Sequence, residues 1–135
     1  YHIHTNRGFE RGLRDFGLEA FPIGSADIDQ DLESIRKLGL ELARAEHGPD
    51  GIVCSGVTAA VVVTKGMEDG GKVIGQDFDI VSKHTTTLIA VTGPKIISIP
   101  EDFRMAGYRL AKLLIQSIDG VPAEALQEIV GPSST

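Results

Sequence analysis

Two hydroxyl residues, Ser55 and Thr58, follow a short apolar run, Gly51–Cys54, and open a segment with helical spacing. Just past a strand and at a helix start, backbone N–H groups and the positive end of the helix dipole favour a ligand hydroxyl or an anion. Ser55 can both donate and accept there. The same position suits a hydroxyl that caps its own helix, so capping and ligand contact stand as alternatives. His84 can donate, accept and change charge near neutral pH, or it is an exposed loop histidine. Thr5 reads locally as a helix N-cap. Asp27 reads as a ligand contact or a cap for the next helix. Glu101 reads locally as a first-turn carboxylate favoured by the dipole.

The other reactive side chains point away from catalysis. Cys54, the only cysteine, lies in an apolar strand, where a thiol is buried and inert. His2 and His4 share a face only if Tyr1–Thr5 is extended, and no third ligand accompanies them. Gly66-x-x-x-Gly70-Gly71-Lys72 lacks the hydroxyl and the preceding strand of a phosphate loop. No paired carboxylates end a single element. The expectation is a binding protein that is not an enzyme and carries no metal or cofactor.

These residues need a frame, and composition bounds it. The 135 residues are 41% hydrophobic and 24% charged, enough for one aliphatic core without tryptophan. A net charge of -6 with no basic run argues against direct nucleic-acid binding by this segment. No apolar run is long enough to span a bilayer. The single cysteine fits a reducing compartment, so a cytoplasmic location is expected.

Apolar spacing predicts a helix from Thr5 to Phe16, with Thr5-Asn6 as caps, and a strand over Leu18–Ile23. A helix over Asp29–Glu46 follows, with Leu32, Ile35, Leu38, Leu42 and Ala45 as its stripe. Next come the strand Gly51–Cys54, a helix over Thr58–Asp69 and a strand over Phe78–Ser82. Lys83–Thr92 suits a loop, an edge strand or a single helical turn. Lys95–Ile99 is β-rich, and Glu101–Asp119 reads as a helix with Phe103, Ala106, Leu110, Leu113, Leu114 and Ile118 inward. Leu126–Val130 reads as a last strand. The alternation predicts an open α/β parallel sheet flanked by helices with right-handed crossovers. Because it opens on a helix, a preceding strand is expected upstream of Tyr1, and the isolated segment is expected to be poorly stable.

Gly8-Phe9, Ala59, Gly71 with Asp77, Gly107 and Ile118-Asp119-Gly120 occur in an order and spacing that resembles the lactose- and purine-repressor family of transcription regulators. The similarity runs from about Thr5 to Val130. It implies the C-terminal portion of a two-lobed, periplasmic-binding-protein-like effector module. Residues 5–92 and 125–131 would form most of one lobe, and residues 95–120 would cross to the other. The effector would lie between lobes and change DNA binding by a separate N-terminal head. The family's ligand positions align with Thr5, Ser55-Gly56, His84 and Glu101 or Pro100, which depart from its usual residues and imply an unusual, sugar-like effector. Family members are dimers, which implies interface roles for Thr58, Val62, Lys65, Leu88, Ile89 and Val91. The alternative reading is a solute-binding component of a sugar transporter, which shares the fold. A phosphoacceptor receiver domain is disfavoured, because no acidic cluster follows the first strand.

Overall fold

The computed structural model describes residues 2–21, 31–84 and 95–129. Its elements are α1 (His2–Asp15), α2 (Leu32–Arg44), β1 (Gly51–Cys54), α3 (Val57–Asp69), β2 (Asp79–His84), β3 (Ile97–Pro100) and α4 (Phe103–Ile118). A short 3-10 helix, Ala123–Leu126, follows. The three strands form one parallel sheet in the order β1-β2-β3, the α/β architecture the alternation predicts. Ile52 lies opposite Ile80, Cys54 opposite Ser82, and Ser82 opposite Ser98. That row faces the core: Ile52, Cys54, Ile80 and Ser82 are buried. Buried Ser82 keeps its hydroxyl satisfied by donating to the Lys83 carbonyl at 3.0 Å.

α2 and α3 cover this face and pack against each other through glycine. A Cβ on Gly39 would lie 2.5 Å from the Val63 carbonyl oxygen, and one on Gly66 would strike the Arg36 carbonyl. The absence of both side chains lets the backbones touch. Leu42, Ala43, Val63 and Met67 fill the space around the crossing. Arg36 then bridges the helices, its Nε donating to Asp69 at 2.7 Å. Lys65 pairs with the same carboxylate at 3.1 Å.

Local chemistry sets the boundaries. Asp31 caps α2 by accepting from the Ser34 N–H at 2.8 Å. Gly71, at φ 88°, ends α3 in the left-handed region. Asp77 accepts from the Val73 N–H at 2.7 Å and closes a turn through Gly75, at φ 79°, that delivers Phe78 into the core.

Several expectations need correction. α1 begins at His2, so Thr5 and Asn6 lie within the helix and not at its N-cap position. His2 and His4 are likewise helical, which removes the extended segment that would align them. Residues 18–21 form no strand, and 22–23 lie outside the described residues. Residues 127–129 form no strand either. Ala123-Glu124-Ala125-Leu126, helix-favouring residues behind Pro122, coil into the 3-10 turn instead. Leu32 is exposed, and the buried edge of α2 runs through Gly39, Leu42 and Ala43. The expected inward stripe of α4 is not buried: Phe103, Leu110, Leu114 and Ile118 are all exposed, and no residue of that helix is buried.

Candidate functional site

A parallel sheet directs every strand C-terminus to one edge, where the following loops leave room for a ligand. Here that edge carries Ser55 after β1, Lys83 and His84 at the end of β2, and Glu101 after β3. The register extends there without a break, with Lys83 opposite Ile99 and His84 opposite Pro100. Ser55, His84 and Glu101, three of the five residues singled out as ligand contacts, are thus brought to one edge by backbone topology alone.

Their immediate surroundings differ. Ser55 is half-buried in the tight link between β1 and α3. It is not the helix cap, because that position belongs to Gly56, whose φ of -160° is extended and which offers no side-chain oxygen. Thr58 stands in the first turn of α3 and is exposed. His84 is the last backbone residue of β2, and its side chain lies outside the described structure.

Glu101 is not a first-turn carboxylate. α4 starts at Phe103, and Asp102 is its cap, accepting from the Met105 N–H at 2.8 Å. Glu101 instead takes the Lys83 ammonium at 3.4 Å. This lysine is the edge residue that sequence reasoning missed. Its only visible signal was a place near the end of a strand.

Thr5 is half-buried within α1, and that helix has no extensive packing with another described element. Asp27 lies outside the described residues, as do the interface candidates Leu88, Ile89 and Val91. Thr58, Val62 and Lys65 fall on α3 at spacings of four and three. Thr58 and Lys65 are exposed, away from the buried Ala60, Val63 and Met67.

Among the described residues of this edge, the one thiol is not an activated nucleophile. Burial pushes the Cys54 thiol up to about 11, so it is neutral at physiological pH. Among the described residues no three His, Cys, Asp or Glu side chains come together in a metal-binding group. What remains is hydroxyl, ammonium and carboxylate chemistry at the mouth of a parallel sheet, suited to hydrogen-bonding a polar small molecule.

The sequence pattern of the periplasmic binding protein-like domain matches residues 3–134. The chain belongs to that family. A periplasmic binding protein-like domain is a ligand-binding domain and not an enzyme domain, and it is the effector-binding type found in lactose-repressor-family regulators. No curated protein sequence matches the chain. Among the described residues no helix is long and apolar enough to cross a membrane.

Proposed function

We propose that this chain is the effector-sensing part of a cytoplasmic transcription regulator. It binds a small sugar-like molecule in a cleft between two lobes. The observation that carries the reading is the convergence of Ser55, His84 and Glu101 at the C-terminal edge of the sheet of a periplasmic binding protein-like domain. Hydroxyl-rich ligands need side chains that both donate and accept, and Ser55 and His84 are of that type.

α4 supports the two-lobe arrangement. Its apolar residues are exposed beside a sheet that already has its own core, as expected of a helix that belongs against a second lobe. In this reading residues 95–120 run toward the second lobe, with β3 still paired to β2 on the way. Effector binding favours the lobe arrangement it contacts better, and a DNA-binding head joined to the module reads that shift. Thr58, Val62 and Lys65 on the outer side of α3 serve a homodimer in this scheme, with DNA reached only through the head.

The test is a thermal-shift screen of the full protein against sugars, sugar phosphates, polyols and nucleosides. A ligand specific for the folded state raises Tm with the logarithm of its concentration. The expected result is a hit lost in both Ser55→Ala and His84→Ala. No hit across the panel overturns the sensing reading. A hit untouched by either substitution moves the site away from this edge.

A further inference from the structure

β3 ends at Pro100 and α4 begins at Phe103, so only Glu101 and Asp102 join the sheet to the helix. Both residues of this joint are fastened, to opposite sides. Asp102 belongs to the helix, whose first turn it caps through the Met105 N–H. Glu101 belongs to the sheet, held at 3.4 Å by Lys83 of the neighbouring strand. The two partners are 26% and 27% exposed, so the pair is screened by solvent less than a surface ion pair.

Among the described residues, little else ties α4 to the sheet. α4 buries no residue, and among the described elements it packs chiefly with the 3-10 helix, while Arg109 pairs with Glu128 just past that helix. α2, α3 and the three strands pack with one another. We propose that Lys83 and Glu101 are a clasp that sets the angle at which α4 leaves the sheet. Resting on the two-lobe reading above, the clasp sets the balance between open and closed lobes before any effector arrives. Lys83 is then a positioning residue, acting through Glu101.

The pair allows a test that needs no ligand. Spin labels on cysteines introduced at the exposed positions Lys37 in α2 and Lys112 in α4 report the distance between those two helices. Native Cys54 stays unlabelled, because its thiol is buried and neutral. In the full protein, Glu101→Lys places two ammonium groups together and widens the distance distribution about twofold. The exchange Lys83→Glu with Glu101→Lys returns it toward the parent width. Lys83→Gln, with no repulsion, gives an intermediate width and guards against a charge-reversal variant that does not fold.

An unchanged distribution in Glu101→Lys and Lys83→Gln overturns the clasp. So does equal widening in the single and exchanged variants, which assigns the effect to shape and not to charge. Failure of the sensing reading looks different. Distances that respond and recover, in a protein that no compound of the thermal-shift panel stabilises, uphold the clasp and remove the effector.

Discussion

α3 and α4 are both apolar helices of ordinary length, 13 and 16 residues, and they meet opposite fates. α3 buries Ala60, Val63, Gly66 and Met67, whereas α4 buries nothing despite carrying Phe103, Tyr108, Leu110, Leu114, Ile115 and Ile118. The difference lies in what each helix can approach. Gly66 on α3 faces Gly39 on α2, so two backbones close to contact and every neighbouring methyl finds partners. Gly107 on α4 has nothing within 4 Å of where its Cβ would be. One helix is fitted to a surface the described fold supplies. The other presents long side chains to a surface it does not.

The two glycines offer the sharpest way to break this comparison. Gly66→Ala pushes a methyl into the Arg36 carbonyl and the Gly39 backbone, which cannot yield without parting the helices. The expected loss is about 3 kcal/mol, the upper end for overpacking a core. Gly107→Ala meets open space in a helix interior and is expected to stabilise α4 by about 0.5–1 kcal/mol. Urea titration followed by circular dichroism measures both. Equal effects at the two positions would mean that the close approach of α2 and α3 does not govern stability.

This contrast also explains what the sequence made legible. β1 is found where an apolar run lies between Asp50 and Ser55, and α3 ends where Gly70-Gly71 stands. Both signals are local. The strand expected over Leu126–Val130 failed because an apolar run does not distinguish a strand from a turn without a partner to pair with. The inward face expected for α4 failed for the same reason, since periodicity reveals a face and not what covers it. At the candidate site, Ser55 stood out from its place just past a strand, whereas Glu101 was reached as a ligand position through the family resemblance and its local reading as a first-turn residue failed. The Lys83–Glu101 pair spans 18 residues and exists only because β2 and β3 lie side by side. No local spacing encodes it.

Titration probes the packed region from inside. Cys54 lies under α3 with its thiol raised from 9.0 to about 11 by burial. A group whose folded pKa is raised contributes stability that is complete below the unfolded value and lost as pH climbs. Between pH 9 and about 11 the unfolded chain releases this proton while the folded one retains it, at a cost of about 2–3 kcal/mol. Cys54→Ala removes that dependence, so the difference between parent and variant stability curves isolates it. A flat difference from pH 8 to 11 would mean that water reaches β1 beneath α3.

The smallest effect is expected in acid, where it separates the two regions again. The Arg36 guanidinium and the Lys65 ammonium lower the Asp69 carboxyl, and the Ser34 N–H, the largest cause, lowers that of Asp31. Groups depressed in the folded state stabilise it above their unfolded pKa and release that stability as pH falls through the folded value. Below about pH 4 the α2–α3 clamp therefore weakens gradually, and only modestly because these carboxylates are solvated. Asp69→Asn removes the main part of the dependence in advance and flattens the acid limb. Hydrogen exchange at pH 3 locates the loss: amides of α2 and α3 exchange faster in the parent than in matched neutral conditions after correction for intrinsic rates. Asp69→Asn changes protection in α2 and α3 and leaves that of α4 as in the parent, because α4 has its own carboxylates, Asp102 accepting from the Met105 N–H and Glu128 paired with Arg109. A change in α4 alongside α2 and α3 in that variant would mean that the two regions unfold as one body.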